Sequence, residues 1–159
     1  MSLSDSLYEG GCMKIKVIEN NDDEVIITIH CREVTSEIKE LINQIESSNI
    51  TLIGKDNHES TILSLKQIYY FEAVDNKVFA YLKDKVYEVD KKIAELNNIL
   101  KFTSFVQTSR TIILNINCVT KIQTLVNGRL MAQLSNDEKM IITRQYAKDF
   151  KDKLKGGRR

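Results

Sequence analysis

The apolar positions of this chain change period along its length, and the changes divide it. The runs KIKVI (14–18) and EVIITIH (24–30) are rich in β-branched residues and are separated by the acidic turn NNDD, so together they predict a hairpin. In VTSEIKELINQIESS, the residues Val34, Ile38, Leu41, Ile42 and Ile45 fall at the spacing of one helix face. Thr35 or Ser36 supplies an N-cap, and Glu37 suits the positive end of the helix dipole. From Ile50 the rhythm shortens to strands: ITLIGK, STILSL, QIYYFEAV, VFAYLK and KVYEVD, with DNHE and Asp75-Asn76-Lys77 among the polar turns. Asp90 caps a brief helix, KKIAELNNIL, that carries Ile93, Leu96 and Leu100 on one side. Strands resume in CVTKIQTLV, RLMAQL and KMIIT; the Asn127-Gly128 pair between the first two is a strong hairpin signal. The last element, RQYAKDFKDKLK, spaces Tyr146, Phe150 and Leu154 as a helix stripe.

This pattern predicts a mainly β fold, α+β overall: antiparallel sheets with short helices, preceded by a small β-β-α unit. Residues 1–12 lack periodicity and read as a disordered leader or tag. Residues 13–49 form the strand-strand-helix unit, too small to be stable alone and a candidate dimerisation element. Residues 50–155 form the main domain, and 156–159 a frayed tail. Phe71, Phe105, Ile113 and Leu114 are expected in its core.

Net charge is +1 over 159 residues, yet its distribution is uneven. Residues 1–100 hold 11 Lys/Arg against 18 Asp/Glu, a balance of −7; residues 101–159 hold 12 against 4, a balance of +8. A basic C-terminal portion implies an anionic partner for that portion. Within it, FVQTSRTIILN (105–115) sets five polar residues between apolar anchors. Gln107, Thr108, Ser109, Arg110 and Thr111 offer hydroxyls, an amide and a guanidinium without a carboxylate, so the loop can donate to a polyanion without repelling it.

Other chemistries find less support. Cys12, Cys31 and Cys118 are widely spaced and odd in number, which suits reduced thiols in a cytoplasmic protein rather than disulfides. His30 and His58 are isolated, and no cluster has the spacing of a metal site. There is no nucleophile-and-base constellation and no phosphate-cradling glycine loop, so neither an enzyme nor a cofactor is expected. No run is long and apolar enough to span a bilayer.

Four pieces, in order, resemble the LytTR family of bacterial DNA-binding domains: Ile68-Tyr69-Tyr70-Phe71-Glu72, the stretch from Val86-Tyr87 to Leu96, FVQTSRTIILN, and ITRQYAKDF. The resemblance covers about Thr51 to Leu154. It implies an all-β domain that reads double-stranded DNA with loops entering successive major grooves, usually as a dimer on paired half-sites. It also implies contacts by Asn76 and Lys77 in the first loop, with Lys77 the better candidate. In the central loop it implies base contacts by Ser109 and Arg110 and a phosphate contact by Thr111. Near the C-terminus it implies contacts by Arg144, with Gln145 and Tyr146 beside it. Gln107 stands where the family often has Arg, and Asp75 would repel phosphate unless turned away. Arg129 and Lys148 are further phosphate candidates. Arg110 and Arg144 can each fork onto O6 and N7 of a guanine. Asn115 is expected to fix the backbone.

Two alternatives remain at this level: a protein-interaction module built on 14–48, and an RNA-binding domain using Tyr69, Tyr70 and Phe71 as a stacking platform. The unit 14–48 is too short for a receiver domain, so control is expected through abundance or a partner, a regulatory membrane protein being one candidate.

Overall fold

The computed structural model describes residues 6–10, 13–18, 25–48 and 50–157. The chain divides into two units, residues 1–33 and 34–159.

In the first unit β1 (Ser6–Gly10) pairs antiparallel with β2 (Met13–Val17), from Ser6↔Val17 to Gly10↔Met13. The second strand is the one expected from KIKVI. Its partner is not: residues 25–30 carry no strand, and part of the expected leader does. A two-residue connection closes at lower entropic cost than the longer excursion through NNDD. The remaining leader residues, the NNDD turn and residues 158–159 lie outside the described residues.

The second unit opens with α1 (Ser36–Ser48). Its first turn is closed by the Lys39 amide donating to the Thr35 carbonyl at 3.1 Å, and the Thr35 hydroxyl meets the Glu37 carboxylate at 3.0 Å. Ile38, Leu41, Ile42 and Ile45 are half-buried, whereas Val34 is exposed.

Seven strands then build one antiparallel sheet. They are β3 (Leu52–Asp56), β4 (Glu59–Leu63), β5 (Tyr70–Val74), β6 (Lys77–Tyr81), β7 (Val86–Val89), β8 (Phe105–Gln107) and β9 (Ile112–Asn115), in the spatial order β4-β3-β7-β6-β5-β9-β8. A second sheet has three strands, β10 (Val119–Thr124), β11 (Leu130–Leu134) and β12 (Lys139–Ile142), in sequential order. Two helices complete the unit, α2 (Ile93–Ile99) and α3 (Ala147–Gly157). The first is capped at Lys92, not at Asp90: the Glu95 carboxylate takes the Lys92 amide at 2.8 Å. The second begins three residues later than expected and includes Gly156 and Gly157, expected from the sequence to lie in the tail.

Alternation along the central strands divides the core in two. Phe71, Ala80, Val89 and Ile113 point to one face of the large sheet, with Leu96 and Leu100 from the α2 region in the same cluster. Tyr70, Val106 and Leu114 point to the other face, where they join Leu130, Ala132, Leu134 and Ile142 of the small sheet and Ala147 and Phe150 of α3. Period-two side-chain placement requires this: neighbours on β5 and β9 serve opposite cores. The four core residues expected from the sequence are all buried. Tyr70 also stacks on Tyr81 with ring centroids 4.4 Å apart, and burial followed by the Glu138 carboxylate raises its hydroxyl pKa far above the usual range.

Asn115 is buried. It donates from Nδ2 to the Ile68 carbonyl at 2.9 Å and accepts the Asn117 amide at 3.1 Å, so it fixes the chain where β9 turns toward the small sheet. Gly54 permits a close approach: a Cβ there would lie 2.6 Å from Tyr87 Cβ and 2.8 Å from Leu63 Cδ1. Gly54→Ala is therefore expected to destabilise by about 1–3 kcal/mol through overpacking. A lower denaturant midpoint at unchanged slope will show it; an unchanged midpoint would mean the strands separate freely.

Candidate nucleic-acid interface

Four chain reversals carry the residues singled out by sequence. The first is the β5–β6 turn. Asp75 and Asn76 both adopt left-handed backbone, with φ of 48° and 64°, and the Val74↔Lys77 pair closes the hairpin. Asp and Asn tolerate that conformation better than other residues with a Cβ, which explains their place here. Both are exposed. Lys77 is the first residue of β6, and its ammonium lies 2.7 Å from the Glu88 carboxylate. Such an exposed pair is worth about 0.2–1 kcal/mol, so Lys77 can exchange partners at small cost.

The second is the β8–β9 loop. The Thr108 amide donates to the Ile112 carbonyl at 3.0 Å, which starts the reversal, and the Thr111 amide donates to the Ser109 hydroxyl at 3.2 Å, which tightens it. The hydroxyls of Ser109 and Thr111 are 3.4 Å apart. Arg110, between them, is exposed.

The third joins β12 to α3, where the Tyr146 amide donates to the Thr143 carbonyl at 3.0 Å. Arg144 and Gln145 sit at the apex, both exposed. The fourth is the β10–β11 turn, with Asn127 and Gly128 at φ of 62° and 74°; the Leu125 amide donates to the Arg129 carbonyl at 2.9 Å. Gly128 also makes room for Arg144: a Cβ on the glycine would lie 3.2 Å from Arg144 Cγ and 3.5 Å from its Cδ.

Two backbone bonds join the first three reversals. The Ala73 amide donates to the Thr111 carbonyl at 2.8 Å, and the Thr143 amide donates to the Thr108 carbonyl at 3.0 Å. The order is therefore 74–77, then 108–111, then 143–146, with the 127–129 turn under Arg144. The chain path from Arg110 to Arg144 runs two residues, one hydrogen-bonded crossing and one residue. At 3.8 Å per residue and about 5.5 Å across the bond, their Cα atoms are at most roughly 17 Å apart.

Asn76, Lys77, Ser109, Arg110, Thr111, Arg129, Arg144 and Gln145 thus belong to linked loops. Gln107 and Tyr146 are half-buried and line a cleft with Lys101 and Lys153 instead. Lys148 is exposed on the first turn of α3. The aromatic run cannot serve as a stacking platform, since Tyr70 and Phe71 are buried and the half-buried Tyr69 receives the Ser135 hydroxyl at 3.1 Å. Sequence reasoning missed Thr143, whose place beside Arg144 was its only signal, and the role of Gly128 beneath the guanidinium.

Residues 58–155, more than half of the chain, match the profile of the LytTr DNA-binding domain. The chain belongs to the LytTR family. It is 24% identical over 145 residues to an uncharacterized HTH-type transcriptional regulator of Staphylococcus aureus (strain bovine RF122 / ET3-1), covering 89% of this chain and 98% of that protein. It is 28% identical over 109 residues to the sensory transduction protein LytT of Enterococcus faecalis, covering 69% of this chain and 44% of that protein. A solved LytTr DNA-binding domain from Bacillus cereus superposes with a TM-score of 0.62 at 20% identity, covering 65% of this chain and 95% of that one. This LytTR fold places strands between each helix and the next among the described residues, so no two helices form a helix-turn-helix pair. None of those helices is long and apolar enough to cross a membrane.

The Thr108 hydroxyl is fully buried beneath this edge and has no hydrogen-bond partner. An unsatisfied buried hydroxyl carries a penalty of about 1–3 kcal/mol. Thr108→Val should therefore raise the denaturation midpoint while the backbone bonds to Ile112 and Thr143 persist. A loss of stability would show that the hydroxyl is satisfied in solution.

Proposed function

We propose that this LytTR protein is a transcriptional regulator that binds double-stranded DNA in a sequence-specific way, presenting loops rather than a helix to the grooves. The supporting observation is the Thr143–Thr108 bond, which holds the Arg110 and Arg144 loops on one edge. The Ala73–Thr111 bond adds the Asn76 turn on the far side of Arg110. In this reading the outer loops, 75–77 and 143–145, reach into successive major grooves, and Arg110 contacts the duplex between them. Successive major grooves lie one helical turn, about 34 Å, apart, farther than Arg110 and Arg144 can span. Ser109, Thr111, Gln145 and Arg129 hold phosphates or base edges. Gln107, Tyr146 and Lys148 flank them.

The protein acts in the cytoplasm, as a homodimer on paired half-sites, and the half-buried stripe of α1 contributes to the contact between subunits. A membrane protein is a candidate regulator.

Selection of duplexes from a random pool tests the reading. The parent should return one motif. Arg144→Ala should relax it by about 1–3 kcal/mol per guanine contacted, and Arg110→Ala should relax it at different positions, nearer the centre of the footprint. An unchanged motif with either variant would remove that residue from base recognition. For the dimer, sedimentation of the full chain should show a two-subunit species that Leu41→Glu dissociates; a monomer at every micromolar concentration would remove the assembly.

A further inference from the structure

A cleft lies beside this edge, not on it. Its volume is about 470 Å³, and its walls come from α2, β8 and α3. Phe105 and Val106 form an apolar floor, and Asn97, Gln107 and Tyr146 contribute polar groups. Lys101, Lys153 and Asp149 line it, so the formal charges of its lining residues sum to an excess of one positive charge.

The two lysines are held in place. Lys153 donates from Nζ to the Lys101 carbonyl at 2.8 Å. The Lys101 ammonium stands 5.4 Å from the centroid of the Phe102 ring. A carbonyl and a ring face orient an ammonium but do not discharge it, and Lys153 keeps two further N–H donors. Burial lowers the Lys153 pKa, the signature of a cation short of compensating charge. Concave, floored by apolar groups, with a few convergent donors and a perturbed lysine, the cleft has the features of a ligand site.

We propose that this cleft holds a phosphate group, with the Lys101 and Lys153 ammoniums as its cationic ligands and the Asn97, Gln107 and Tyr146 side chains as hydrogen-bond donors. Two sources share that chemistry: the backbone of a bound duplex, and a free phosphorylated small molecule. The first rests on the DNA-binding reading above; the second does not. Either source is coupled to the DNA edge, because Gln107 adjoins Thr108 and Tyr146 follows Gln145. An occupied cleft therefore fixes both ends of the Thr108–Thr143 link. Asp149 opposes the anion and sets a modest affinity, so the site responds to millimolar rather than trace phosphate.

The test uses the full chain in two arms. In the first, inorganic phosphate is titrated at constant ionic strength against chloride, while the backbone amide resonances of Gln107 and Tyr146 are followed. In the second, affinity for a selected duplex and for a scrambled one is measured across a salt series. Both arms compare the parent with the Lys101→Gln/Lys153→Gln double variant, with Lys101→Glu at an exposed position that tolerates substitution, and with Lys151→Gln as a control on the same helix. A free phosphate source is supported by saturable shifts in the parent that both cleft variants abolish. A backbone source is supported if both cleft variants weaken the two duplexes alike, by about tenfold, with a salt slope shallower by about 1 for each phosphate no longer held. Lys151→Gln should do neither. The proposal is overturned if phosphate shifts nothing and the cleft variants bind DNA as the parent does, or if Lys151→Gln has the same effects. If the parent binds no duplex, the regulator reading fails, and the phosphate titration alone decides the cleft.

Discussion

The Thr143 amide and the Thr108 carbonyl hold the edge of linked loops together. One strand connection comes from the large sheet and the other from the end of the small sheet. Without their bond, the Arg110 hairpin loop and the Arg144 strand-to-helix connection would be independent of each other. A backbone pair is a suitable fastener because it depends on chain path rather than side-chain identity, and because an unpaired buried carbonyl or amide is costly. The Thr143 hydroxyl, 3.4 Å from the same carbonyl, adds a weaker second contact.

The two sheets support that fastener from below. Tyr70 and Leu114 face the small sheet, while Phe71 and Ile113, one residue away, face α2. Asn115 anchors the chain as it leaves the shared strand, and Tyr69 meets Ser135 across the gap. The edge is thus mounted on regular strands ending in tight turns. In the proposed function, such mounting lets the loops meet a duplex without being ordered on each encounter.

Much of this was legible in sequence where the signal was local. Asn127-Gly128 and Asp75-Asn76 declare their turns because few residues accept left-handed backbone. Alternation in YYFEAV and TIILN reveals strands, though not that their two faces serve different cores. The N-terminal hairpin was misplaced because EVIITIH is as strand-like as any segment, and propensity alone cannot choose a partner. SLYEG, lacking a clean pattern, took the place beside KIKVI through a shorter connection. The α2 cap moved because Glu95, three residues into the helix, reaches back to Lys92, while Asp90 meets Lys55 at 3.6 Å. At the loop edge the charged residues were visible, but the unremarkable Thr143 and Gly128 that position them were not. Gln107 and Tyr146 turn toward the cleft because their backbone places them at the end of β8 and the start of α3, which no motif encodes.

Gly128 has a consequence for how the guanidinium is presented. The glycine surface lies against the Arg144 stem, so the aliphatic part of the arginine rests on a neighbouring hairpin and its charged fork projects beyond it. A stem supported this way samples fewer rotamers than one in open water. Less disorder is then lost when the fork meets a flat hydrogen-bonding partner, and the contact forms in a narrower range of directions.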